Sequence, residues 1–290
     1  MKGILNFWLV AGMFLLAPAC KKDKPDCFKS TGDLVREQRE VGGFSTMEIY
    51  NNVNVVISQD TLNQVVIEAG ENLLKKITTE VKGAALVIRN ENKCNWVRSY
   101  KKEINAYVSV KDLTKIGLFG HGKITSSNTI TTPVFFITNK GNGDVELQVD
   151  NGYCYIDLHS AGDLILTGKI GGIEIWTSGN NWVRCLGLKT SYAALYTHTT
   201  GDCFLTFDDS LNIVLAGMGN VIYSGNPQKV KAEIARLRAE DPAAEIRVRP
   251  SWNRERLKVA VRVSPRESLA GVRLRVMMAL FENGNVTNVT

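Results

Sequence analysis

Three histidines, His121, His159 and His198, are the side chains of this 290-residue chain best suited to proton transfer or metal binding near neutral pH. His159 and His198 hold equivalent places, each three residues before a glycine, Gly162 and Gly201. If the segments carrying them stack as successive coils, the two rings lie two strand spacings apart, about 9–10 Å. That is too far for one metal ion or one proton relay. Asp157, Glu146 and Glu174 are the carboxylates a sugar-cleaving sheet would use, but alternation with apolar neighbours makes them ordinary solvent-face charges. The cysteine spacings match no zinc signature. The reading therefore assigns no catalytic residue, no metal ligand and no cofactor. Aromatic side chains offer a different chemistry. Tyr153, Tyr155, Trp176, Tyr192 and Tyr196, with Trp182, are spread over neighbouring stretches of chain. Rings exposed on a flat sheet stack on sugars or other apolar faces, although core packing is the commoner use of any one ring.

The elements that must position these residues repeat. A turn residue, then Asp or Asn, then an apolar run recurs in Gly122-Lys123-Ile124, Gly143-Asp144-Val145, Gly162-Asp163-Leu164, Asn180-Asn181-Trp182, Gly201-Asp202-Cys203 and Gly219-Asn220-Val221. Around each copy the alternation has period 2, as in Asp144-Val145-Glu146-Leu147-Gln148-Val149, which belongs to strands. Repeats of roughly 20 residues built from short strands and Gly/Asn corners predict an all-β solenoid with one coil per repeat. Corners of this kind favour positive φ, so Gly162 and Gly201 are expected there. Asp144, Asp163, Asn181, Asp202 and Asn220 are expected to form one polar column. Calcium-binding solenoids also use Gly-Asp turns, but with repeats of about nine residues, so the column reads as corner structure. Residues 41–116 alternate strands and turns less regularly and are expected to form the first coils and cap the open end, with one helical turn at Leu73-Leu74-Lys75-Lys76-Ile77.

These turns, ending in Val221-Ile222-Tyr223-Ser224-Gly225-Asn226-Pro227, resemble the head-domain family of auto-transporter adhesins (the GIN domain, DUF2807), common in Bacteroidetes lipoproteins. Upstream, Phe44-Ser45-Thr46-Met47-Glu48-Ile49, Val53-Asn54-Val55-Val56-Ile57-Ser58-Gln59 and Val66-Ile67-Glu68-Ala69-Gly70-Glu71-Asn72-Leu73 fit as well. The resemblance covers residues 41–227. It implies a right-handed parallel β-helix with no established catalytic residues.

Lys2, an apolar run over residues 4–16 and Ala17-Pro18-Ala19 read as a signal peptide over residues 1–19. Cys20, followed by Lys21-Lys22-Asp23-Lys24, looks like a bacterial lipobox, although Ala17 stands where leucine is usual. Lipidation at Cys20 would make residues 20–40 a tether and the membrane a partner, in the cell envelope and most simply at the outer membrane. Cys27 and Cys94 lie outside the repeats in polar surroundings and are the natural disulfide pair in an exported protein. Cys154 and Cys203 sit in strand alternation and read as small buried apolar groups.

Composition breaks after Pro227. Residues 229–290 hold 13 Lys+Arg against 7 Asp+Glu and so carry the whole formal +6. Val230, Ile234 and Leu237 have helical spacing and strands follow, so residues 228–290 are expected to be a small α+β extension, an incomplete second module. A chain cut after Pro227 is expected to keep its solenoid. Together these features predict a non-enzymatic envelope lipoprotein that presents a solenoid surface to a polysaccharide or an envelope protein. Nucleic acid is not a partner, since no aromatic-basic motif is present and export is expected. The alternative is a carbohydrate-active β-helix enzyme, a polysaccharide lyase or hydrolase. Three or more carboxylates or basic groups clustered on one sheet would favour the enzyme. A flat face of exposed rings and polar ladders would favour binding.

Overall fold

Alternating burial sets the coil. In the strand Val145–Ser160 the inward side chains are Val145, Leu147, Val149 and Asn151, and then Cys154, Ile156 and Leu158. The parity switches at residues 152–153, so one continuous strand supplies two walls that face the same core from two directions. The computed structural model describes residues 30–93, 103–225 and 228, and the backbone of 229–234, 244–253, 256–265, 279–282 and 285–288. The expected signal peptide, most of the tether, Cys20, Cys27 and Cys94 lie outside the described residues.

In chain order the strands of the body are β1 (Leu34–Arg39), β2 (Thr46–Asn51), β3 (Asn54–Gln59), β4 (Gln64–Gly70), β5 (Ile77–Lys82), β6 (Ala85–Asn90), β7 (Asn105–Val110), β8 (Lys115–Gly120) and β9 (Ile124–Ser126). They continue as β10 (Ile130–Asn139), β11 (Val145–Ser160), β12 (Leu164–Gly179), β13 (Val183–Thr199), β14 (Cys203–Leu215) and β15 (Val221–Ser224). β10 to β14 stack in parallel register, residue 145 on 164, 164 on 183 and 183 on 203. The result is a parallel β-solenoid of about six turns. A first sheet runs through β3, β9 and the leading halves of β11 to β14. A second runs through β2, β8, β10 and their trailing halves.

The amino-terminal end is closed by antiparallel pairing. β6 and β7 add parallel layers to β2 and β3, and β5 then pairs antiparallel with β6, and β4 with β7. β1 covers β4 with the charged sequence Leu-Val-Arg-Glu-Gln-Arg, the kind of edge that discourages pairing with other chains. The expected helical turn is present as α1 (Glu71–Leu74), two residues earlier than read.

The corners correct two expectations. Gly162 and Gly201 are not among the positive-φ glycines, which include Gly168 (φ 107) and Gly179 (φ 99). Their reason is close approach between coils. A Cβ on Gly162 would lie 1.9 Å from the carbonyl oxygen of Gly143, and one on Gly201 would lie 2.1 Å from that of Asn181. The second correction concerns register. Residue 163 stands over residue 182, so Trp182 occupies the place expected for Asn181, and Asn181 joins the glycine column. There it is fully buried, donating its amide to the Ser160 and Ser178 carbonyls at 3.0 and 2.7 Å. The Asp column itself forms by side chain to backbone. Asp144 Oδ1 accepts the Asp163 N–H, Asp163 Oδ1 the Trp182 N–H and Asp202 Oδ1 the Asn220 N–H, at 2.8–2.9 Å. Each carboxylate thus satisfies an amide of the next coil.

Beyond Pro227 the expected helix is also corrected. Lys229–Ile234 is a strand, β16, lying parallel on β14 with Val230 on Leu211, Ala232 on Ile213 and Ile234 on Leu215. The open edge of β14 imposes this register, and Val230, Ala232 and Ile234 fit period 2 as well as Val230 and Ile234 fit a helix. β17 (Ala244–Asn253) and β18 (Arg256–Pro265) form an antiparallel ladder, and β18 also pairs with β15. β19 (Ala279–Glu282) and β20 (Asn285–Asn288) form a separate two-stranded ladder. Backbone pairing therefore crosses the compositional break and covers the edge of the last coil.

Inside, Cys154, Cys185 and Cys203 are free, buried thiols packed with Val, Leu and Ile. Burial pushes all three up, Cys185 and Cys203 to about 12, so they remain protonated and inert. This is the small-apolar role expected of Cys154 and Cys203.

Candidate functional site

The trailing half of each coil points alternate side chains out of the second sheet, and the register sorts them into columns along the coil axis. Val134, Tyr153, Gly172 and Tyr192 form one column, and Phe136, Tyr155, Glu174 and Ala194 the next. Thr138, Asp157, Trp176 and Tyr196 form a third, and His159, Ser178 and His198 a fourth. Five of the six aromatic residues singled out from the sequence, Tyr153, Tyr155, Trp176, Tyr192 and Tyr196, thus share one outer face. Phe136, which the sequence reading missed, joins them. The signal was present in Phe135-Phe136, because alternation sends one ring inward and the other out. Trp182 does not join. It sits at the Asp corner beside Phe204 (6.2 Å between centroids) with the Arg184 guanidinium 5.3 Å away.

The rings are ordered by the coil repeat. Phe136 stacks on Tyr155 at 5.2 Å and 12°, and Trp176 stacks on Tyr196 at 4.1 Å and 13°. Each stack runs along the solenoid axis, so Tyr155 keeps one face toward β12 and Trp176 keeps one toward β11. Tyr153 packs tilted beside Tyr155, 4.7 Å between centroids. Its ring lies across β12 at Gly172, where a Cβ would come within 2.5 Å of Cε2. Glycine there is what lets the ring lie flat. Phe136, Tyr155 and Trp176 remain 42, 41 and 50% exposed, far more than core packing would leave. Further along the same sheet Tyr50 stacks on Phe119 at 4.9 Å, with the Arg89 guanidinium 3.7 Å from the Tyr50 centroid.

Polar groups are set among the rings. Glu174 Oε1 accepts the Trp176 indole N–H at 2.8 Å. Burial, and then the negative charge of Glu174 and the surrounding phenols, push the Tyr153 hydroxyl up to about 12, so it stays a neutral donor. Beside the rings His159 Nε2 lies 2.6 Å from Asp157 Oδ1, and His159 Nδ1 lies 2.6 Å from Ser178 Oγ. Lys140 Nζ stands 3.9 Å from Asp157 Oδ2. His159 and His198 are two coils apart, as the spacing required, with Ser178 between them. The sequence offered no sign that Ser178 would meet His159, because that contact depends on coil-to-coil register. Glu146 lies on the first sheet, paired with Lys123. Among the described residues no group of three or more His, Cys, Asp or Glu could hold a metal ion, and no helix is long and apolar enough to cross a membrane.

The geometry matches known proteins in sequence and in fold. Residues 43–227 match the family described as "Putative auto-transporter adhesin, head GIN domain". The chain belongs to this family. Its GIN domain therefore spans β2 through β15, with the capping strand β1 preceding it. Among solved structures, a "putative adhesin" of Bacteroides fragilis superposes with a TM-score of 0.65 at 20% identity, over 70% of this chain and 93% of that one. A "putative lipid binding protein" of Parabacteroides distasonis gives 0.56 at 16% identity, over 71 and 94%. A "putative adhesin" of Parabacteroides merdae gives 0.55 at 11%, again over 71 and 94%. At these identities the likeness is one of fold. No curated protein matches the chain.

Proposed function

We propose that this protein is a non-enzymatic, adhesion-type lipoprotein of the cell envelope whose GIN domain holds a polysaccharide on the aromatic face of its second sheet. The observation that carries the reading is the alignment of Phe136, Tyr153, Tyr155, Trp176, Tyr192 and Tyr196 on one outer surface, with Phe136 on Tyr155 and Trp176 on Tyr196 stacked along the coil axis. Half-exposed rings ordered by a rigid scaffold lose little entropy on binding, and their apolar faces suit the C–H faces of sugars. Membership of an adhesin family and adhesin-titled fold neighbours support an adhesion-type role at the cell surface or envelope. The direct test is retention of the full-length protein, in detergent, on a panel of immobilised polysaccharides. Retention by none of them would refute the saccharide reading, and capture of an envelope protein instead would identify a different occupant.

A lipid on Cys20 would place the solenoid at the membrane surface, and a Cys27–Cys94 bridge would fasten the tether to the first coils. Cys20→Ser should abolish incorporation of a fatty-acid analogue and release the protein from membranes. A mutant that stays labelled and membrane-bound would rule the anchor out. One observation favours a second reading. The Asp157–His159–Ser178 chain has the order of groups found in serine acyl hydrolases, with the two imidazole nitrogens exchanged. Release of an acyl group from an esterified polysaccharide, lost in Ser178→Ala, would therefore make the face an active site of a polysaccharide hydrolase.

A further inference from the structure

Glu174 occupies an unusual position. It stands at the centre of the aromatic face, directly opposed by Tyr155 on β11 and by Ala194 on β13, with Gly172 and Trp176 beside it on its own strand. Tyr153, Tyr192 and Tyr196 are one strand away on the diagonals. Glu174 is partly buried, and its Oε1 accepts a hydrogen bond from Trp176 Nε1–H. Among the described residues no cation pairs with it, although Glu68, Glu80, Glu146 and Asp163 are each matched by a Lys or Arg. The surrounding rings supply one donor, the Trp176 indole N–H, but no positive charge. Asp157, on the diagonal, adds a second carboxylate, already engaged by His159 and Lys140. Gly172 admits the Tyr153 ring beside Glu174, and Ala194, opposite it on β13, carries no long side chain. A half-buried carboxylate set among aromatic side chains, with no counter-ion among the described residues, is complementary to a cation, through a charge-assisted hydrogen bond to the carboxylate and cation–π attraction to a neighbouring ring together.

We propose that the saccharide held on this face carries a free, positively charged amine, and that Glu174 and the rings around it form the subsite for that ammonium group. The proposal rests on the saccharide-binding reading of the face and names the chemistry of its ligand: an amino sugar whose nitrogen is not acylated. Acylation removes the charge and adds bulk, so an N-acetylated sugar loses both the ion pair and the cation–π contact. A neutral hexose chain would still stack on Tyr155 and Trp176 but would leave Glu174 without its partner.

The test is calorimetric titration of the full-length protein in detergent with three oligosaccharides of equal length: a chitosan oligomer in mildly acidic buffer, its fully N-acetylated counterpart, and a cellulose oligomer. The chitosan oligomer should bind about tenfold or more tighter than the other two, as one charge-assisted hydrogen bond would give. In Glu174→Gln that preference should vanish while the affinity for the cellulose oligomer is unchanged. Ala194→Lys, which sets an ammonium directly across from Glu174, should abolish the preference in the same way and serves as the second variant if Glu174→Gln does not fold. Equal binding of all three oligomers, lost in Trp176→Ala, would overturn the amine subsite and leave the saccharide face standing. A preference for amine that survives both variants would also overturn it. Binding of none of the three would refute the subsite and count against the face as well.

Discussion

Replacing Gly162 by valine should lower the melting temperature by about 6–12 °C, whereas Glu146→Gln should leave it nearly unchanged. A Cβ at residue 162 would stand 1.9 Å from the Gly143 carbonyl oxygen and 2.8 Å from the Asn139 amide nitrogen. The first obstacle is backbone that is itself locked in the ladder between coils, so no side-chain rotation relieves it. Overpacking of this kind costs about 3 kcal/mol, and each kcal/mol is worth about 2–4 °C in a chain of this size. The disturbance also reaches Asn139, fully buried, whose amide closes the corner by accepting from the Gly141 N–H and donating to the Gly143 carbonyl. Glu146, by contrast, is about half exposed in its ion pair with Lys123, and such pairs contribute about 1 kcal/mol at most. Equal shifts in the two variants, measured by thermal unfolding, would contradict the stacked-coil register.

The same glycine shows what a sequence can and cannot disclose. A recurring Gly-Asp phrase near every twentieth residue makes the coil legible, because each turn must solve the same corner problem. Two different constraints, a left-handed backbone or a close carbonyl, select the same residue, so spacing alone cannot say which applies. Asn180-Asn181-Trp182 is one residue out of step for a related reason. Asn resembles the Asp of the other corners, yet only the pairing of 163 with 182 shows that Asn181 fills a glycine place. Outward and inward residues were legible from alternation. Which outward rings share a wall was not, because each coil has two walls and the parity switches between them. That switch separates Tyr153 and Tyr155 from Trp182. Likewise the meeting of His159 with Ser178 is a product of register between coils 19 residues apart, to which no local pattern points, whereas Asp157 and His159 share a face by alternation alone. At residues 229–234 the pattern allowed both helix and strand, and the unpaired edge of β14 decided between them.

Trp176→Ala and Tyr155→Ala should each weaken saccharide binding by about tenfold or more, and the double variant should abolish it. Ring stacks of this kind are worth about 0.5–1.5 kcal/mol beyond their buried area, and each substitution removes both the ligand contact and the partner that holds the neighbouring ring. Trp176→Ala additionally frees Tyr196 and takes away the donor to Glu174. Both side chains are outside the core, so the melting temperature should fall by no more than a few degrees. Trp182→Ala is the control, equally aromatic but on the other side of the corner, and should bind as the parent does. Loss of binding in Trp182→Ala alone would move the site to the Asp corner.

The aromatic face can be watched directly. The chain has five tryptophans, and the indole N–H of Trp176 reports from the centre of the face through its bond to Glu174. In a ¹⁵N-indole NMR titration with the oligosaccharide retained best by the protein, the Trp176 resonance, assigned by its loss in Trp176→Ala, should shift progressively and saturate with the binding curve. Trp182 should stay in place. A saturable shift of Trp182 with Trp176 unmoved would contradict the account, because the ligand would then be held on a surface other than the second sheet.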